Sequence, residues 1–170
     1  MDFKQLCKNR YSVRSFSNLP IEKEKLDYVL DCGRIAPTAK NNQPVRILIL
    51  QSKDALEKAK QCSPCTFNSP CVLIFCTDTD LCFNATDGSR TSADIDATLL
   101  GSQVMLACTE QGLGSCFVLL FDVKKTKELF DLPKNIKPIF YLPIGYPAED
   151  AIINYRHNQR HSIEEISKIL

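Results

Sequence analysis

Apolar positions along the chain recur with two periods, and the switches between them divide it into helices and strands. Asp2 is placed to cap a short helix carrying Phe3, Leu6 and Cys7 on one face, with Asn9 as its stop. Arg10 to Phe16 is polar and alternating, the pattern of an extended segment. Pro20 opens a second helix with Leu26, Val29, Leu30 and Gly33 at helical spacing, and the helix ends before Pro37. Thr38 to Pro44 is a polar connector, Val45 to Leu50 a β-branched buried strand, and Asp54 to Gln61 a short exposed helix. Cys71 to Cys76 is a second buried strand, and Thr77 to Arg90 a polar excursion. The longest helical pattern runs from Asp94 to Gln111 and is closed by Gly112. It is apolar most of the way round, which suits the centre of a domain or a dimer seam. Cys116 to Phe121 is a third strand, Lys124 to Phe130 a helix, and Pro138 to Ile144 a fourth strand. The tail is polar, with one amphipathic turn near Ile163, Ile166 and Ile169. The pattern predicts a single α+β domain over residues 1–170 with a small mixed sheet.

Charge and cysteine content narrow the function classes. With 21 Lys+Arg against 20 Asp+Glu, the chain has no global basic field for nucleic acid or an acidic membrane. No apolar run spans a bilayer, and the start lacks the order of a secretion signal, so a cytoplasmic protein is expected. Nine cysteines is an odd count in a chain of this size and reads as reduced thiols. Both histidines fall in the tail, which argues against a His-based triad or a multi-His metal site.

Arg10, Ser12 and Arg14 alternate, so an extended backbone projects them to one side. Two guanidinium forks around a hydroxyl suit a phosphate, although a solvated strand edge reads the same way. Between Pro37 and Pro44 the connector concentrates Asn41, Asn42 and Gln43, whose amides match the edge of a flavin or nucleobase ring or make an Asn-rich turn. Gly112-Leu113-Gly114 follows a helix and precedes a strand, the reverse of a dinucleotide fingerprint. Cys62-Ser63-Pro64-Cys65 lacks a second pair for zinc and the strand-then-helix setting of a redox dithiol.

Taken in order, these segments resemble the nitroreductase family, in its short FMN-dependent branch. The resemblance rests on Arg10-Tyr11-Ser12-Val13-Arg14, on Ala36 through Pro44, on the helix from Asp96 through Cys108 with Gly112-Leu113-Gly114-Ser115 at its end, on Pro143-Ile144-Gly145-Tyr146-Pro147, and on Arg160 through Ile166. It implies an α+β fold with a mixed, mainly antiparallel sheet flanked by helices, in a homodimer whose C-terminal tail wraps the partner. It also implies FMN as cofactor, NADH or NADPH as electron donor, and a small-molecule acceptor such as a nitroaromatic or quinone. By that resemblance Arg10, Ser12, Arg14 and Arg160 hold the phosphate, Tyr11 is among the cofactor-binding residues, and Thr38, Asn41 and Gln43 meet the ribityl chain and ring. Leu119 and Leu120 would lie beside the reactive N5. No side chain is assigned a catalytic proton or nucleophile, because the cofactor carries the chemistry.

Three departures bear on function. Val45 replaces a Trp of the loop, Leu119 stands where short members often carry glycine, and Asn158 stands where a second phosphate-binding cation is often found. The Leu119 side chain and the Cys62/Cys65 pair leave open a second reading, a non-catalytic flavin-binding module acting as store or redox sensor.

Overall fold

A computed structural model describes residues 2–170. Six helices are α1 (Phe3–Asn9), α2 (Lys23–Arg34), α3 (Lys53–Cys62), α4 (Ala93–Glu110), α5 (Val123–Leu129) and α6 (Ile163–Ile166). Four strands, β1 (Val45–Leu50), β2 (Cys71–Asp78), β3 (Gly114–Ser115) and β4 (Ile136–Gly145), form one sheet in the order β1-β2-β4-β3. Every ladder in it is antiparallel. A parallel element enters only as the isolated bridge between Ser12 and Ser115. Among the described residues no helix is long and apolar enough to cross a membrane.

The sheet sits between two helical layers, which is why its central strands are apolar on both faces. Cys71, Leu73 and Phe75 of β2 face one core with Phe140, Leu142 and Ile144 of β4, against Val29 of α2 and Leu100 and Val104 of α4. The alternate residues Val72, Ile74, Cys76 and Tyr141 face the second core, closed by Ala59 and Cys62 of α3. Burial pushes the thiols of Cys71 and Cys76 up to about 12, and that of Cys108, in the first core, higher still. Tyr141 keeps its buried hydroxyl satisfied through Thr126 of α5, 2.8 Å away.

Two expected elements differ. Helix α2 starts at Lys23 rather than at Pro20, because Ile21 is drawn into the core by an extended lead-in. The third strand is only Gly114–Ser115, not Cys116 to Phe121. Cys116 donates its N–H to the Pro143 carbonyl, but Pro143 has no N–H to return, so the ladder breaks there. Val118 and Tyr141 then exchange one isolated pair of bonds before the chain leaves the sheet. The polar excursion also begins later than expected, since β2 continues through Asp78.

Candidate functional site: an arginine pocket and an amide loop

Val13 is fully packed, which turns its neighbours Ser12 and Arg14 outward. The segment can lie flush on β3 because Gly114 has no side chain; a Cβ there would collide with Val13. Val13 N–H donates to the Ser115 carbonyl at 3.0 Å and fixes the register. At the other end Gly112, with φ of 74°, lets α4 close with Leu113 N–H on the Cys108 carbonyl and turn into β3.

Arg10, Tyr11, Ser12 and Arg14 form one wall of a cavity of about 260 Å³, and Asn154, Arg156, His157 and Arg160 of the tail form the other. A His157 ring nitrogen lies 2.9 Å from the Lys8 carbonyl, and the ring stands edge-on to Tyr11, so the tail is tied to the N-terminal segment. The Arg14 guanidinium donates to the Ser12 carbonyl at 3.2 Å. No carboxylate lines the cavity and no ion pair among the described residues involves its four arginines. Cys116 lies behind this wall; burial pushes its thiol up, and the guanidinium of Arg14 draws it partly back.

The amide loop is built differently. Lys40, Asn41 and Gln43 all have φ between 51° and 55°, a left-handed conformation that side chains disfavour. Internal bonds hold it. Gln43 N–H donates to Thr38 Oγ1 at 3.0 Å, Asn42 Nδ2 to the Leu81 carbonyl at 2.9 Å, and Arg46 to the Gln43 carbonyl at 3.0 Å. Asp96 of α4, 1% exposed, accepts the Ala39 N–H at 2.9 Å, while its Oδ2 has no protein partner. Lys40 stands over the Phe83 ring, 5.0 Å from its centroid. Thr38 and Gln43 open onto a second cavity, of about 310 Å³, bordered by Leu30, Arg34, Val45 and Leu100.

The sequence-derived residues thus separate. Arg10, Tyr11, Ser12, Arg14 and Arg160 share one cavity, Thr38 and Gln43 another, and Asn41 lies exposed on the strained loop. Leu119 and Leu120 line neither cavity and are 66% and 65% exposed. Ser63 Oγ donates to the Leu120 carbonyl at 2.7 Å, so the loop bearing Cys62 and Cys65 supports this segment. All nine cysteines are free thiols, and no group of three or more metal-ligating side chains occurs among the described residues. Sequence reasoning missed Arg156, which supplies a cation close to Asn158, and His157, whose ring lines the same wall; neither belongs to a periodic pattern that would have marked it. It also missed Asp96, the one acid among the buried residues of α4.

The nitroreductase family model matches residues 7–64 and 58–146. The crystal structure of a nitroreductase family protein from Clostridium difficile superposes with a TM-score of 0.92 at 35% identity, covering 99% of this chain and 98% of that one. A Methanothermobacter thermautotrophicus protein whose name gives NADH dehydrogenase/NAD(P)H nitroreductase is 26% identical over 157 residues, which is 88% of this chain and 80% of its own. A Staphylococcus aureus NADPH-dependent oxidoreductase is 26% identical over 163 residues; the match takes in 85% of this chain and 64% of that protein's length. With the fold, the family model and the Clostridium relative in agreement, the chain belongs to the nitroreductase family.

Proposed function

We propose that the chain is an FMN-dependent NAD(P)H oxidoreductase acting on a small-molecule acceptor such as a nitroaromatic or quinone. The observation that carries this reading is the arginine pocket, in which four guanidiniums and a hydroxyl converge with no carboxylate to neutralise them. That donor set suits a phosphate monoester, which accepts charge-assisted and bidentate bonds. Names of relatives support it: an oxidoreductase whose structure is described as containing FMN shares the fold, and the staphylococcal protein is NADPH-dependent.

Arg10, Arg14, Arg156 and Arg160 would hold the phosphate, with Ser12 and Tyr11 beside it. Thr38, Asn41 and Gln43 offer hydroxyl and amide groups to the ribityl chain and ring edge, from a loop already fixed in conformation. When bound, FMN supplies reversible two-electron transfer, so the protein needs no nucleophile–base pair of its own. Donor and acceptor would then use one opening in turn, giving ping-pong kinetics.

The two halves of the site lie in separate cavities of one chain, and this supports a homodimer in which the arginine pocket of one copy meets the amide loop of the other. Three unpartnered surfaces ask for the same partner. Ile95 and Leu99 are exposed on α4, β1 leaves a strand edge unpaired, and Ile163, Ile166, Ile169 and Leu170 of the tail pack on nothing. The whole described chain would act as one FMN-binding domain.

The test is the absorbance spectrum of the purified protein together with NAD(P)H oxidation in the presence of a quinone. Bound flavin and turnover are expected. Flavin without turnover would favour the store, and a colourless protein that takes up no added FMN would refute the reading.

A further inference from the structure

The arginine pocket has a neighbour. Beyond the His157 ring and Arg160, which line both, a second cavity of about 580 Å³ opens between α1 and the tail. Its other lining residues are Lys4, Cys7, Lys8 and Asn158, again without a carboxylate. Lys4 and Lys8 enter no ion pair among the described residues, and neither do the four arginines next door. In a chain whose charges balance to +1, six unpaired cations along one trough is a local field rather than a compositional accident.

Local helix physics explains Lys8, which stands in the last turn where a cation suits the dipole, but not the pair of lysines. They sit four residues apart on a seven-residue helix that buries nothing, where like charges repel. Lys4 also stands in the first turn, at the positive end of the helix dipole. Asp2 caps the first turn, so what is left uncompensated is the first-turn position of Lys4 and the like-charge spacing, and an anion over that face would offset both. One phosphate monoester carries at most two negative charges, which Arg10, Arg14, Arg156 and Arg160 already exceed, so the lysines are not needed for it.

We infer that Lys4, Lys8 and Asn158 form a second phosphoryl subsite adjoining the flavin-phosphate pocket, with Arg160 shared between the two. The inference rests on the proposed FMN reading. The ligand chemistry is a nucleotide phosphate, and it has two sources: the AMP phosphate of FAD, joined directly to the flavin's own, or the 2′-phosphate of NADPH.

Titrating FMN and FAD into the apoprotein, and measuring KM for NADPH and NADH on the FMN-loaded enzyme, distinguishes them. The Lys4→Ala/Lys8→Ala variant should keep its FMN Kd within about twofold, which also reports that it folds. If the subsite serves NADPH, its KM rises about tenfold while that of NADH holds; if it serves FAD, the FAD Kd rises about tenfold. Replacement of both lysines by Arg should restore whichever is lost. The inference is overturned if neither constant moves, or if FMN binding falls in parallel, which would make the lysines part of the one phosphate pocket or of the fold. Failure of the wild-type protein to bind FMN would instead refute the underlying flavin reading.

Discussion

The loop from Thr38 to Gln43 and the tail from residue 150 onward carry the two halves of the candidate site, and the chain supports them unequally. The loop is held in an unfavourable left-handed conformation by a hydroxyl, a buried carboxylate and a guanidinium from three directions. The tail has a sound local design, including a capping box between Ser162 and Glu165 at the start of α6, yet buries none of its isoleucines. A four-residue helix with no packed face is not stable in isolation. Strain that is over-determined by its surroundings marks a surface finished before ligand arrives. Good capping without burial is what the proposed homodimer would complete with a second copy. Substitutions in the loop should therefore act through the monomer's own stability, and those in the tail through assembly and cofactor content.

The largest effect is expected from deleting residues 155–170. Arg156, His157 and Arg160 leave the pocket together, and the apolar tail leaves the interface. Sedimentation should show loss of the dimer, and the protein should purify without flavin. A truncated dimer that stays yellow would break the contrast between loop and tail.

Arg14→Ala comes next. Losing a charge-assisted contact should cost roughly tenfold to hundredfold in FMN affinity, more at low salt than at high, with the thermal midpoint of the FMN-free protein unchanged. Equal flavin content in Arg10→Ala, Arg14→Ala and wild type would remove the phosphate assignment.

Asp96→Ala sharpens the other side. It leaves the half-buried Ala39 N–H without its acceptor, a loss of about 1–3 kcal/mol in urea unfolding. Asp96→Asn keeps an acceptor oxygen and should recover most of it. If both unfold at the wild-type midpoint, the loop is not held as described.

The sheet that underlies both halves gives a smaller, pH-dependent effect. The folded chain retains the protons of Cys71 and Cys76 up to about 12, while the unfolded chain releases them near 8.5–9. Their contribution is intact below that range and is lost as pH rises through it, by about 1–2 kcal/mol per thiol at pH 10. Urea midpoints at pH 8 and pH 10 measure it. The smallest effect belongs to Cys62→Ser/Cys65→Ser, which should retain FMN and most NAD(P)H oxidation; a loss beyond about tenfold would give the dithiol a role in turnover.

Much of this was legible in the sequence where local pattern and tertiary context agree. Val45–Leu50 is a strand by β-branching and by pairing alike, and α4 follows its apolar pattern to its glycine cap. The Arg10-Ser12-Arg14 alternation was visible because an extended segment has a simple period. Where a partner strand decides, local pattern failed: Cys116 to Phe121 has strand-like side chains, but Pro143 on the facing strand ends the ladder. Arg156 and His157 were hidden because their place in the pocket follows from a non-periodic turn in the tail and from the Lys8 carbonyl, not from a repeat. The disjoint positions of the arginine pocket and the amide loop are a property of the folded chain alone.

That separation is tested most directly by subunit complementation. One copy carries Arg10→Ala/Arg14→Ala and the other Thr38→Ala/Gln43→Ala, each expected to bind little FMN on its own. The two are mixed, unfolded and refolded together. If one copy's pocket completes the other's loop, each mixed dimer holds one intact site, and random pairing restores about a quarter of the wild-type flavin. If both halves served the cofactor within a single chain, every site in the mixture would carry a defect and no flavin would return.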